Sequence, residues 1–338
     1  MKTVELIKKL TAIPTVSGCE AGMQEYLKES LSEFGTVTTD DVGNVFVTFG
    51  TGDRHIMLDS HMDEVGMIVT SITDDGFLKL GAVGGIDRRM LLDSEVTVLG
   101  KKAVSGVIST LPPHLQKGDD EKTVPEIGDV SVDIGMTKEE AESVISLGDR
   151  VVFKRQFTPL LNGQISCNCL DDRAGMASII LALPQLQALP IKVTALFSTQ
   201  EEVGTRGAKV GAYLRGVDEC IAVDVSFGLT PDTTKEECGV LGEGAMIGFS
   251  PILDREISKK LVKIAEGENI PYQKEIMSGR TGTNADVITL TEKGVKCGLI
   301  SIPLKYMHSP VEVIKADDVE SVSKLIVAYC KERSGEGA

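Results

Sequence analysis

Four histidines occur in the 338 residues, at positions 55, 61, 114 and 308, and two of them keep suggestive company. His61 lies in LDSHMDEVG and His308 in LKYMHSP. Between them come CLDDRAG with Asp171 and Asp172, STQEEVGTRGA with Glu201 and Glu202, and AVDVS with Asp224. Imidazole with carboxylate is a donor set suited to divalent transition metals, and water fills the open positions that catalysis needs. Two such ions about 3.5–4 Å apart, bridged by one carboxylate, activate a water and clamp a developing oxyanion. One further carboxylate has to take the proton from that water and return it to a leaving amine. Glu201 and Glu202 can divide binding from proton transfer, because adjacent side chains leave the backbone in different directions. Asp63, two residues after His61, can hold the imidazole from behind.

Taken singly, each signal has a plainer reading. An H-x-D after a strand often binds nothing, and a Glu pair usually marks a solvated turn. The Asp pair of LDDR can cap the helix that follows, and His308 can be an ordinary loop histidine. Those readings leave one fact without a cause: all five clusters follow an apolar strand or open a helix. His55 lies within a strand and His114 in a Pro-Pro-His loop, and both are expected to be structural.

The elements that must position these groups are visible as short apolar runs. HIML (55–58), VTALF (193–197), CIAV (220–223) and CGLISI (297–302) suit strands buried on both faces of a parallel sheet. Helical patterns cover 173–183, 257–268 and 319–332, the first expected to stop before Pro184. The opening MKTVELIKKLTAIP reads as an amphipathic helix with Leu6, Ile7 and Leu10 on one face. From Met67 to Phe157 the pattern changes to short β-like runs broken by Gly and Asp. One helix is expected there after Thr137, a cap residue with Glu140 three positions on. The fold class expected is α/β: a mostly parallel-sheet catalytic domain (1–66 and 158–338) interrupted by a small β-rich insert (67–157). In open α/β sheets ligands bind beyond the carboxyl ends of the strands, so five segments deliver His and carboxylate groups to one rim.

Composition narrows the partners. With 35 Lys+Arg against 50 Asp+Glu the net charge is −15, which argues against nucleic acid and anionic membrane surfaces. Residues 117–149 alone carry ten acids against three lysines, almost half of that excess, on a segment expected to face neighbouring subunits or an entry passage. No apolar run approaches a membrane span and no export signal is read at the start, so the expected location is cytoplasmic. The seven cysteines read as mostly buried free thiols, although the C-x-C of Cys167 and Cys169 is also a metal-binding pattern. The absence of Trp and an aromatic content of 4% weaken a polysaccharide-binding reading.

HMDEVG, LDDRAG, STQEEVGTRGA, VDVS and YMHSP, in that order, resemble the motifs of the deblocking or glutamyl aminopeptidases, which include the tetrahedral aminopeptidases. The likeness extends through SGVISTLPPHL, VDIGMTKEEA and ISLGDRVVF in the insert. It implies a zinc-peptidase-like fold and release of the N-terminal residue from short peptides. By resemblance, His61 and Asp224 bind one divalent ion, Glu202 and His308 the other, and Asp171 bridges them. Zn²⁺ is the expected metal, with Co²⁺ or Mn²⁺ as alternatives. Glu201 is implied as general base and then acid, while Asp172 shapes the turn. The insert resembles a dimerisation domain, and the implied assembly is a homo-oligomer built from dimers, up to a tetrahedral dodecamer. Asn168 and Cys169 before LDDR, and Asn284 in TGTNADVI, depart from the family's usual residues without touching an implied ligand. Two other readings compete: a metal-free glycoside hydrolase, since some members carry an endoglucanase label, and a catalytically silent metal-binding scaffold.

Overall fold

The four apolar runs form the centre of an eight-stranded sheet in a computed structural model that describes residues 2–109, 111, 113–115 and 124–335. Lys192–Ser198, His55–His61, Glu219–Phe227 and Lys296–Leu304 lie side by side in that order, each parallel to its neighbour. Every residue of His55–His61 is buried, as a central strand covered on both faces requires. The expectation of a mostly parallel sheet holds for this core and needs correcting at the edges. Val45–Phe49 runs antiparallel to both Thr36–Thr39 and Lys192–Ser198. Ala245–Phe249 runs antiparallel to Lys296–Leu304 while pairing in parallel with Tyr272–Ile276. The first edge is a hairpin closed by a short turn, in which the Asp40 carboxylate accepts the Val42 and Asn44 N–H groups. A tight turn can join only antiparallel strands.

Helices cover both faces. Thr3–Thr11, Leu170–Leu186, Arg255–Gly267 and Ala316–Gly335 pack on one, and Leu6, Ile7 and Leu10 are buried as the amphipathic pattern required. Arg206–Arg215 and Ala285–Ile288 pack on the other. The helix beginning at Leu170 continues past Pro184 to Leu186, a second correction. Pro184 lies so close to the end that its missing N–H removes only one bond of the last turn, while Leu183 and Leu186 remain buried. The backbone at Asp171 and Asp172 is not helical, so the regular helix starts at Arg173, as the pattern indicated.

In the chain between His55–His61 and Lys192–Ser198 comes a separate closed six-stranded barrel running from Gly66–Ile72 to Arg150–Phe153. It has its own core, including Met67, Val98, Ile108 and Val132. Ala103–Ser109 alternates buried and exposed positions, as a strand with one wet face should. Lys138–Val144 is the helix anticipated after Thr137, which accepts the Glu140 N–H while Glu140 accepts that of Thr137. His114 is exposed, and residues 117–123 of the acidic segment lie outside the described residues. Among the described residues, no helix is long and apolar enough to cross a membrane.

Candidate metal centre

The parallel core explains why distant residues meet. His61 ends its strand, and Asp224 lies at the same level of the neighbouring one, two residues beyond the Ala222–Asp59 pair. Glu201 and Glu202 follow Lys192–Ser198, and His308 follows Lys296–Leu304. These five residues stand near or just beyond the carboxyl ends of four adjacent strands, while Asp171 opens the helix packed below. The Asp171–Asp172 peptide bond is cis.

Asp171 stands between the two histidines. Its Oδ1 is 3.1 Å from His61 Nε2, and its Oδ2 is 3.4 Å from His308 Nε2. Asp224 Oδ1 is 3.9 Å from His61 Nε2, and Glu202 Oε2 is 3.4 Å from His308 Nε2. Two groups that could hold a metal ion result, His61–Asp171–Asp224 and Asp171–Glu202–His308, each with donor atoms within 4.8 Å of one another. Glu201 joins His61 and Glu202 in a third grouping. Both imidazoles turn Nδ1 to a backbone carbonyl: His61 to Asp63 at 3.1 Å and His308 to Gly85 at 2.8 Å. A ring that donates from Nδ1 leaves Nε2 bare and aimed at the carboxylates, the tautomer a metal ligand needs.

Charge in the cluster is unbalanced. Burial, followed by hydrogen bonding to Asp171 and Glu202, bears on His308, and the carboxylates win, raising it to about 11. Burial pushes Glu201 up to about 8, with repulsion from Glu202, Asp171 and Asp63 adding to it against the pull of His61. Burial also raises Asp224 well above the ordinary range, and repulsion from Asp172 and Asp171 adds to it. Six acids lie around two rings, and carboxylates so crowded resist ionising together without more positive charge. Donor set and charge deficit both fit a pair of divalent cations.

Neighbouring motif residues shape this rim. Asp172 accepts the Ser60 hydroxyl at 2.5 Å and the Gly175 N–H at 3.0 Å, at the turn into the helix. A Cβ on Gly175 would lie 2.3 Å from that carboxylate, which explains the glycine of LDDRAG. At Gly207, a Cβ would meet the Thr199 backbone oxygen at 2.3 Å, which explains the second glycine of GTRGA. His55 is buried with Nε2 2.8 Å from Thr194 Oγ1, away from the centre. Cys169 accepts Arg155 Nη1 at 2.7 Å, and Asn284 donates to Ser198 Oγ at 2.9 Å. No cysteine joins a candidate metal group among the described residues. Sequence reasoning missed Gly85, Glu64, Arg155 and Glu312, which support the ligand segments from elsewhere in the chain. Of these, Glu64 stands in HMDEVG three residues after His61 and Glu312 four residues after His308, each a visible acid without a visible partner.

Comparison with known proteins adds independent information. The signature of the M42 glutamyl aminopeptidases matches residues 43–325. A lysyl aminopeptidase of Pyrococcus furiosus is 32% identical over 97% of this chain and 96% of its own. A glutamyl aminopeptidase of Lactococcus lactis is 31% identical over 94% and 93%. Among solved structures, the TET1 peptidase of Pyrococcus horikoshii, described as assembling into a tetrahedron or a large octahedral shell, superposes with a TM-score of 0.88. It is 36% identical, over 98% of this chain and all of that one. A Thermotoga maritima structure titled endoglucanase gives a TM-score of 0.80 at 28% identity, over 97% of each chain.

Proposed function

The chain belongs to the M42 glutamyl aminopeptidase family, and from that premise we propose that it is a dinuclear metal-dependent aminopeptidase acting on short peptides. The observation that carries the reading is Asp171, whose two oxygens face different histidines. In this assignment His61 and Asp224 would hold one divalent ion and Glu202 and His308 the other, with Asp171 available to each set. Such a pair supplies Lewis acidity and a nucleophilic water at neutral pH. The remaining work falls to the protein. Glu201, not needed as a ligand, takes the proton from the attacking water and delivers it to the departing amine. Asp63 fixes the His61 ring through its carbonyl, and its carboxylate accepts the Glu201 and Glu202 N–H groups. Zn²⁺ suits the ligands best, with Co²⁺ and Mn²⁺ acceptable.

We assign residues 1–66 and 158–338 to catalysis and 67–157 to assembly. Its similarity to the shell-forming relative supports a homo-oligomer built from dimers, up to a dodecamer. The excess of acids in the insert makes that assembly sensitive to ionic strength. Hydrolysis of aminoacyl-anilides should disappear with a chelator and return with Zn²⁺ or Co²⁺, alongside a native mass above that of a monomer. Hydrolysis of a cellulose oligomer that survives chelation would replace this reading with the glycosidase.

A further inference from the structure

Glu312 is almost fully buried, at 2% exposure, and begins the strand Glu312–Lys315. Its Oε1 accepts the backbone N–H of His308 at 2.9 Å, and its Oε2 accepts that of Asp171 at 3.2 Å. One side chain therefore ties together two ligand-bearing segments that are remote in sequence. Its own backbone is fixed by pairing with Gln164–Cys167, the strand leading into Asp171, in the register Cys167 to Glu312. Asp63 does the corresponding work across the centre, accepting the N–H groups of Glu201 and Glu202 and the Ser17 hydroxyl.

Burying a carboxylate is costly unless strong donors meet it. Here both oxygens are met by the backbones of two proposed ligands. His308 also has φ 60°, a conformation that non-glycine residues keep only when the surroundings hold them. The separation of 3.4 Å between Asp171 Oδ2 and His308 Nε2 depends on those two backbones keeping their register.

Resting on the metal assignment above, we infer that Glu312 is a positioning residue that sets the spacing of Asp171 and His308. It thereby governs the affinity of the Asp171–Glu202–His308 set for its divalent ion, and acts much less on the His61–Asp171–Asp224 set. Glu312→Gln keeps the shape but turns an amide N–H toward one of the two donors. Glu312→Asp keeps the charge but is one methylene too short to span both.

The test is titration of the chelated full-length protein with Co²⁺, followed by visible absorption, with circular dichroism as a check on folding. Wild type should take up two ions. Each variant should bind one ion almost as wild type does and the other about 10- to 100-fold more weakly. Its turnover should recover as Co²⁺ is raised. Two unweakened steps in a folded variant would overturn the inference, and so would equal weakening of both steps. Failure of both variants to fold would make Glu312 a structural residue and overturn it as well. A wild-type protein that takes up no Co²⁺ would instead refute the metal assignment, a separate result.

Discussion

His55 begins the strand that His61 ends, about 20 Å away at the strand's rise per residue. It offers a quantitative test free of the metal centre. The residue is 7% exposed, with Nε2 against Thr194 Oγ1, which is itself 2.9 Å from Thr48 Oγ1. Burial, helped by Lys192 and opposed by Asp218, lowers its pKa from 6.5 to about 4. Above about pH 6.5 the ring is neutral folded or unfolded and contributes no pH dependence. As pH falls from 6.5 to 4, only the unfolded chain takes the proton, so stability is lost across that window. About 2.5 pH units at 1.36 kcal/mol each give about 3 kcal/mol in all, of which about 2.5 kcal/mol is lost by pH 4.5. With unfolding entropy near 2.1 cal/mol/K per residue, that is about 4 °C of thermal midpoint for a chain this long.

The perturbation is His55→Gln, which keeps a polar end for Thr194 and cannot titrate. Asp59 and Asp318 are raised to about 7 and about 6, chiefly by burial, and lose stability as pH rises through the same region. The absolute curve therefore mixes opposite signs, and the difference between the two proteins is what counts. Scanning calorimetry from pH 7 to 4.5 should show wild type losing about 4 °C more than His55→Gln. Parallel curves would refute the reasoning, because they would mean the ring protonates as easily folded as unfolded.

Two packing predictions accompany it. Gly175→Ala sets a methyl against the Asp172 carboxylate, which Ser60 and the Gly175 N–H pin in place. A loss of about 1–3 kcal/mol in denaturant unfolding is expected, together with reduced turnover, and an unchanged midpoint would contradict it. Arg173 is fully buried, donating to Met62 O and Leu10 O and lying 3.7 Å from Glu64. Arg173→Met leaves the two backbone carbonyls without that donor while Arg155 still pairs with Glu64, and should cost about 1–3 kcal/mol, checked by the same unfolding assay.

Much of the site was legible because sheet geometry converts sequence order into place. Four apolar runs predict four buried strands, and polar clusters just past them must share a rim. The glycine of LDDRAG and the second glycine of GTRGA were visible as motif letters, while their cause, a carboxylate and a backbone oxygen where a Cβ would be, needed coordinates. The antiparallel edges were not legible, because the strand Ala245–Phe249 carries no local mark of its direction. Glu312 acts through two hydrogen bonds to backbone N–H groups and Gly85 through one to a histidine ring, and such contacts leave no periodicity. Pro184 misled for a local reason: a proline in the last turn of a helix forfeits little. Asn284 is buried beside Asp59, and Asn284 and Ser198 are the polar groups that partly offset the effect of burial on that carboxyl. That departure therefore lies beneath the strand carrying His61 rather than at the proposed metal ligands.

The central claim is that Glu201 moves protons while its neighbours hold metal. Its most direct test is Glu201→Gln, with metal content and turnover measured on the same preparation. The account predicts two divalent ions per chain retained and aminoacyl-anilide hydrolysis reduced by about 10²- to 10⁴-fold. Full turnover with both ions bound would contradict it.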